Sequence, residues 1–396
     1  PVEELLRRLI IFDLRKKSAY GAPNEPVVGF NVYQALSDDP YVTVAIFIEI
    51  LRQIWGDAAL GIRLRDQLRH ASLALTMSPS GPYSLIELEA FFLDAQFRAR
   101  VLKGITDPVV VQYWKRFENG KDREGEADAV LNKISTLISS HRRLRATLGK
   151  TKKPFSFDKF LRTTKAPIIL VCADAGSAGK QVAGIICSLF LTAISRAAMP
   201  SDVEAGTALP SPLLIACDEF VNYSAACHEQ LDELIREGRK FKIVNVLLTQ
   251  SPGLLDSQTR NLVVNVIKNQ AYHSAGVEDS NTVAGMLAQE DIPKIVLRTQ
   301  LQQAKPGEAL FLQEGHPLQR IYVSMPPEAS VSDEVVRKVR AASLAHWGEV
   351  VELETAEEGL ETTHEPDATS SPETAGIEVR DVATGAPKRS SRKKKS

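Results

Sequence analysis

The sequence contains, at residues 213–220, Leu213-Leu214-Ile215-Ala216-Cys217-Asp218-Glu219-Phe220, an apolar run that ends in two adjacent carboxylates. Such a run predicts a buried β-strand, and open α/β sheets bind their ligands at the C-terminal ends of the strands. Phosphoryl transfer uses one carboxylate for the water shell of Mg²⁺ and a second to orient or deprotonate the attacking water. Asp218 is therefore the candidate metal ligand and Glu219 the candidate base. The alternative is an ordinary strand end whose acids favour the start of the next helix.

The segment that follows supplies two more candidate residues. A helix is predicted from Asp232 to Lys240, and the apolar run at residues 243–248 predicts a strand that ends at Gln250. An amide at that strand end can sense a γ-phosphate, and Arg239 can reach the nucleotide of a neighbouring subunit as an arginine finger. The alternatives are a solvated strand end for Gln250 and favourable placement near a helix C-terminus for Arg239.

Further strands are predicted at residues 9–13 and 166–172, and a long apolar helix at residues 180–198. Strands separated by helices predict an α/β fold with a mostly parallel sheet that is covered on both faces. Residues 57–150 have helical periodicity only and are expected to form an all-helical insertion. The predicted domains are thus 1–56 and 151–350 for the α/β part, 57–150 for the insertion, and 351–396 for a disordered tail, acidic and then basic.

The composition excludes no class of soluble protein. Lys+Arg 48 against Asp+Glu 49 gives a net charge of -1, so a nucleic-acid partner would have to bind local basic patches. Two such clusters lie in the insertion, and the basic end of the tail could contact nucleic acid or an acidic lipid surface, or simply keep the chain soluble. Four cysteines without C-x-x-C spacing indicate buried free thiols in a reducing compartment. We expect no membrane span, because the best stretch, residues 184–199, is interrupted by polar residues.

The order and spacing of these motifs resemble the FtsK/HerA superfamily of P-loop ATPases, and most of all the coupling proteins of conjugative type IV secretion (TraG/TraD-like). The resemblance rests on Asp218-Glu219-Phe220, on Arg236-Glu237-Gly238-Arg239-Lys240 and on Leu247-Leu248-Thr249-Gln250. Weaker matches extend it from about Arg8 to Met325, and they include Trp55-Gly56-Asp57 and Asp107-Pro108-Val109-Val110.

The resemblance implies a RecA-like motor with a helical insertion that faces the DNA or its cargo complex. It implies ATP and Mg²⁺ as cofactors, a hexameric ring of identical subunits, DNA in the central channel, and relaxase or secretion-channel proteins as partners. By matched position, Asp218 and Glu219 would be the Walker B pair, with Asp218 on the metal, Arg239 the arginine that acts in trans, and Gln250 the sensor. The expected location is the cytoplasm, at the cytoplasmic face of the inner membrane if an anchor precedes Pro1.

The sequence departs from the family pattern at the phosphate-binding loop. The family's P-loop lies on the first strand of the motor, before the part that matches Leu5 to Asp13, so we expect this chain to lack it and to hydrolyse ATP poorly alone. The stretch from Asp174 to Gln181 has Asp and Gln where a P-loop needs Gly and Ser or Thr, and we interpret it as structural. A non-catalytic ring or adaptor subunit and a HerA-type DNA-processing motor remain as alternatives.

Overall fold

The computed structural model describes residues 2–15, 25–119, 123–138, 142–149, 155–173, 176, 179–199, 209–288, 292–327 and 331–349. The expected disordered tail and most of the turn at residues 174–178 lie outside these ranges.

Two pairs of parallel strands form the α/β part. Strand β1 (Leu9–Asp13) pairs with β2 (Ile168–Cys172), and β3 (Leu213–Cys217) pairs with β4 (Ile243–Leu247). Each of these strands coincides with an apolar run in the sequence, and parallel neighbours require a long crossover between them, which the helices provide. The α/β class with parallel strands is therefore confirmed.

Helices α11 (Lys180–Ala198) and α12 (His228–Glu237) bury one face of these strand pairs, α11 against both pairs and α12 against β3 and β4. Phe12 and Phe30 pack against Phe190 of α11 with ring centroids 4.8 and 4.2 Å apart. On the β3–β4 side, a second core cluster includes Cys217, Leu231, Leu234 and Ile243. Helix α11 is also long and apolar enough to cross a membrane, but 72% of its apolar window is buried inside the protein, as expected for a core helix.

The opposite face is largely uncovered in the part of the chain that the structure describes. Leu214 of β3 is 62% exposed and Val244 of β4 is 55% exposed, and Leu170, Val246 and Leu248 are exposed as well. Alternation along a strand explains the pattern, because these residues point away from the helices that cover the first face. The two-sided burial that the apolar runs predict is thus found for β1, whose five residues are all buried, whereas β3 and β4 are covered on one side only.

An antiparallel sheet that the sequence does not indicate follows the parallel strands. It contains β5 (Asn269–Tyr272), β6 (Glu308–Gln313) and β7 (Gln319–Tyr322) in this order. Helices α14 (Val277–Leu287) and α15 (Lys294–Gln303) pack on it around a small core of their own. The strands are short, β5 and β7 are largely polar, and the apolar residues of β6 are consecutive, so none carries a clear period of two.

The segment expected to be all-helical consists of helices wherever the structure describes it. They are α3 (Pro40–Trp55), which leads into it, α4 (Ile62–Met77), α5 (Glu87–Leu93), α6 (Ala95–Leu102), α7 (Pro108–Glu118), α8 (Arg123–Ile138) and α9 (Arg142–Leu148). Asp107 caps α7, because its carboxylate accepts from the Val109 and Val110 amides. At the centre, Trp114 packs edge-on against Phe91 and donates to the carbonyl of His70 at 3.2 Å.

The remaining helices are α1 (Val2–Arg8), α2 (Val32–Ala35), α10 (Phe157–Thr163), α13 (Ser257–Val266) and α16 (Asp333–Trp347). Helix α16 returns from the end of the described chain to its beginning. The hydroxyl of Ser343 donates to the Leu9 carbonyl at 2.8 Å, and the Trp347 indole donates to the Leu6 carbonyl at 3.2 Å.

A buried ion network joins α16 to the end of β1. The Asp13 carboxylate accepts from Arg15 at 2.8 Å and from Arg340 at 2.7 Å. Arg340 also donates to Glu25, which Arg143 of α9 contacts in turn. Burial by itself would raise the pKa of the Asp13 carboxyl, but the hydrogen bonds from Arg15 and the charge of Arg340 outweigh it and lower that pKa to about 2.

We expect this network to make the fold sensitive to acid. A carboxyl whose pKa is lower in the folded chain stabilises the fold above its unfolded pKa and loses that contribution as the pH falls through the folded value. For Asp13 the window runs from the ordinary carboxyl pKa of 3.8 down to about 2, and the contribution at neutral pH is about 2 kcal/mol. Asp13→Asn should remove it, whereas Asp38→Asn, at an exposed position, should not. Urea unfolding from pH 7 to pH 2 measures both, and equal pH profiles would contradict the assignment.

Candidate active site

Asp218, Glu219 and Gln250 lie at the same edge of the sheet. The ladder between β3 and β4 continues past both strands, because the Leu248 amide donates to the Cys217 carbonyl at 2.9 Å and the Phe220 amide donates to the Leu248 carbonyl at 3.0 Å. The two carboxylates and the amide therefore follow directly from neighbouring parallel strands, as the sequence predicts from strand order alone. This is the edge at which open α/β sheets bind ligands.

The turn that carries the two carboxylates has an unusual backbone. Glu219 lies in the left-handed region, with φ 47° and ψ 42°, which L-residues other than glycine rarely adopt. Asp218 supports the turn, since its Oδ1 accepts from the Glu219 amide at 3.0 Å and its carbonyl accepts from the Tyr223 hydroxyl at 3.2 Å. Strain of this kind is concentrated at functional sites, and no feature of the sequence predicts it here.

The carboxylates have no cationic partner in the described part of the chain. Asp218 is exposed and Glu219 is half-buried, and neither forms an ion pair with a described lysine, arginine or histidine. Cys217, which directly precedes Asp218, and Cys187 are both uncharged. Burial raises the pKa of the thiols of Cys187, to about 12, and of Cys217, so that both carry protons. Two uncompensated carboxylates at one strand end are arranged to attract a cation.

Mg²⁺ fits this donor set. The described residues contain no group of three or more His, Cys, Asp or Glu side chains that could hold a metal ion by themselves. Mg²⁺ does not require such a cage, because it keeps several waters and binds through one or two carboxylates together with the phosphates of a substrate. Oδ1 of Asp218 is engaged with the Glu219 amide, which leaves Oδ2 to hold a metal-bound water.

Arg239 lies at the opposite end of the strands. It belongs to a short 3₁₀ turn at Gly238–Phe241 that precedes β4, and its carbonyl accepts from the Lys242 amide at 3.2 Å. Five residues of β4 separate it from the Gln250 end, which corresponds to about 17 Å. Its guanidinium is exposed and forms no ion pair within the described residues. Arg239 therefore cannot contact the carboxylates of its own chain.

Comparing glycine with alanine at two positions tests the strain at Glu219. The left-handed conformation costs a non-glycine residue roughly 1–2 kcal/mol, so Glu219→Gly should be more stable than Glu219→Ala by about 1 kcal/mol. The matched position is Glu233, inside the regular helix α12, where glycine should be about 1 kcal/mol less stable than alanine. Urea unfolding of the four variants gives both differences. The same sign at both positions would show that Glu219 is not strained.

Among known proteins, no family model matches this chain, and no curated protein matches it. Solved structures do match. The plasmid coupling protein TrwB in complex with the GTP analogue GDPNP is 15% identical, with a TM-score of 0.57 over 84% of this chain and 84% of that chain. TrwB in complex with ADP and Mg²⁺ is 12% identical, with a TM-score of 0.54 over the same shares of 84% and 84%. An unbound form, described as a bacterial conjugative coupling protein, is 12% identical, with a TM-score of 0.53 over 81% of this chain and 80% of that chain. This chain thus has the RecA-like fold of a conjugative coupling protein, as the resemblance in its sequence implies.

Proposed function

We propose that this chain is the Walker B part of an ATP-driven DNA translocase of the conjugative coupling-protein type. The observation that carries the proposal is the convergence of Asp218, Glu219 and Gln250 at one edge of parallel strands, in a fold shared with TrwB, whose structures hold GDPNP or ADP and Mg²⁺. In this role Mg²⁺ supplies charge neutralisation for the phosphates. Asp218 holds its water shell, Glu219 orients and deprotonates the attacking water, and Gln250 contacts the γ-phosphate.

The uncovered sheet face supports a second element of the proposal. A parallel sheet is normally buried on both faces, and β4 pairs along one edge with β3 while its other edge pairs with no described strand. We propose that a strand–loop–helix unit with a phosphate-binding loop occupies this place, its strand beside β4 and its helix on the face of Leu214, Val244 and Val246. The backbone amides of such a loop would supply the phosphate cradle that Asp218 and Glu219 cannot provide.

The position of Arg239 supports a ring of identical subunits as a further part of the proposal. Arg239 precedes β4, whose length of about 17 Å separates it from the strand end that carries the carboxylates, and its exposed guanidinium has no ion-pair partner in the described residues. In a ring that places the Arg239 end of one copy beside the Asp218 end of the next, the arginine would contact the neighbour's nucleotide phosphates. Six copies, as in the family that the sequence resembles, would enclose a channel for DNA.

The helical segment is the proposed contact for DNA and for its cargo. Arg63, Arg69, Lys115 and Arg116 are exposed on α4 and α7 and form no ion pair within the described residues. Such side chains can neutralise phosphates without sequence preference. Relaxase and secretion-channel proteins are the proposed protein partners, and the cytoplasm is the proposed location.

Two variants used together test the catalytic roles, in protein expressed from its complete reading frame. Glu219→Gln should bind Mg·ATP normally and lose turnover by about 100-fold, because the base is removed and the shape kept. Arg239→Ala should lose turnover only in the assembled ring. Arg236→Ala is the matched control, because Arg236 pairs with Asp232 of its own helix at 2.6 Å.

Mixing the two inactive variants should restore part of the activity. In a mixed ring, some interfaces combine the intact Glu219 of one subunit with the intact Arg239 of the other. Normal hydrolysis by Glu219→Gln would refute the assignment of the base. A mixture as inactive as its components, with rings still formed, would refute the role of Arg239 in trans.

Val246→Glu tests the proposed use of the uncovered sheet face. The side chain is exposed in this chain, so the isolated chain should keep its stability within about 0.5 kcal/mol. Protein from the complete reading frame should lose Mg·ATP binding, because the buried charge would expel the added helix. Val109→Glu on α7, also exposed, is the matched control. Equal nucleotide binding by both variants would show that no such unit packs on this face.

A further inference from the structure

The loop that follows Gln250 is held at Gly253 from two sides. The Gly253 amide donates to Oδ1 of Asp279 at 2.9 Å, and the Gly253 carbonyl accepts from Arg260 at 3.0 Å. Arg260 also donates to the Leu255 carbonyl at 2.8 Å. Both backbone groups of one residue, three positions after Gln250, are therefore fixed by charged side chains from two different helices. Hydrogen bonds to charged groups are stronger than those between neutral ones.

Glycine at this position permits the close approach of the carboxylate, and a larger residue would displace it. A Cβ atom on residue 253 would lie 2.7 Å from Oδ1 of Asp279, which is shorter than any contact between a carbon and a carboxylate oxygen can be without movement. The contact between Gly253 and Asp279 is thus specific to a residue without a side chain.

Asp279 belongs to a part of the fold that is separate from the strands carrying Asp218, Glu219 and Gln250. It lies in the first turn of α14, which packs with α15 on the β5–β7 sheet around a separate core. Gln302 of α15 donates to the Ser280 hydroxyl at 2.9 Å, next to Asp279 along the chain. The Asp279 carboxylate therefore extends from a helix that is held by its own core. Its hydrogen bond to Gly253 connects this helix to the loop after β4.

We infer that Asp279 is a positioning residue for Gln250, acting through Gly253, with Arg260 as the second arm of the clamp. This inference rests on the proposed function, in which Gln250 contacts the γ-phosphate. Gln250 itself is exposed at the strand end, so the direction of its amide depends on the backbone that follows it. Fixing Gly253 restricts the conformations of the backbone that follows Gln250. It thereby keeps the Gln250 amide at the strand end where Asp218 and Glu219 also lie.

Asp279→Ala tests the clamp by two independent measurements. In this chain alone, hydrogen exchange of the peptide that contains Gly253 should become at least about tenfold faster, because the amide loses its acceptor. In protein from the complete reading frame, the kcat for Mg·ATP should fall on the order of tenfold while KM changes less than twofold, since the loop acts on orientation. Gly253→Ala should reproduce both effects with Asp279 intact.

Two controls separate positioning from general damage. Glu278→Ala, at the exposed neighbouring position, should leave exchange and kcat unchanged, and Asp279→Asn should restore most of both because its amide oxygen can still accept. Unchanged exchange in Asp279→Ala would overturn the clamp. Faster exchange with unchanged kcat would overturn the link to Gln250. A wild type that neither binds nor hydrolyses Mg·ATP would instead refute the proposed function, and the exchange result would still decide whether the clamp exists.

Discussion

Parallel pairing of β3 with β4 is the constraint on which the candidate site depends. Because both strands run in the same direction and in register, from Leu213 opposite Ile243 to Cys217 opposite Leu247, whatever follows them must emerge at one edge. Two carboxylates follow the first strand and an amide follows the second. The same geometry sends Arg239, which precedes β4, to the far edge. The pairing thus brings three of the four predicted site residues together and separates the fourth.

This pairing also explains how much of the site could be predicted from sequence. Apolar runs identify the strands, and strand direction then places Asp218, Glu219 and Gln250 without any knowledge of distances. The conformation of Glu219 could not be predicted, because its strain comes from a turn closed by the Asp218 side chain and the Tyr223 hydroxyl. The contact of Gly253 with Asp279 could not be predicted either, since the two residues are 26 positions apart in the sequence and neither belongs to a periodic pattern.

The same distinction applies to the fold: elements with local causes could be predicted from the sequence, and contacts between distant residues could not. Helix α11 was predictable over its whole length, because nineteen consecutive residues carry its apolar pattern. The ion network at Asp13 was not, since it joins Asp13 to Arg340 across 327 residues. Its consequence for the fold is large, because α16 and α9 reach the end of β1 through it. Buried charges of this kind fix one arrangement, since leaving any member unpaired costs several kcal/mol.

The two ends of the strands carry opposite charges. Asp218 and Glu219 form no ion pair in the described residues, and Arg239 is equally unpaired at the other end of β4. Within one chain these charges are too far apart to compensate each other. Between two copies, however, the acidic edge of one and the basic edge of the next are complementary, and complementary charge favours correct docking of partners. A polyphosphate bound with Mg²⁺ at the acidic edge would keep that edge negative and give Arg239 of the neighbour phosphate oxygens to contact. On this reasoning nucleotide binding and contact between copies would be thermodynamically linked, since each would supply the charge that the other needs.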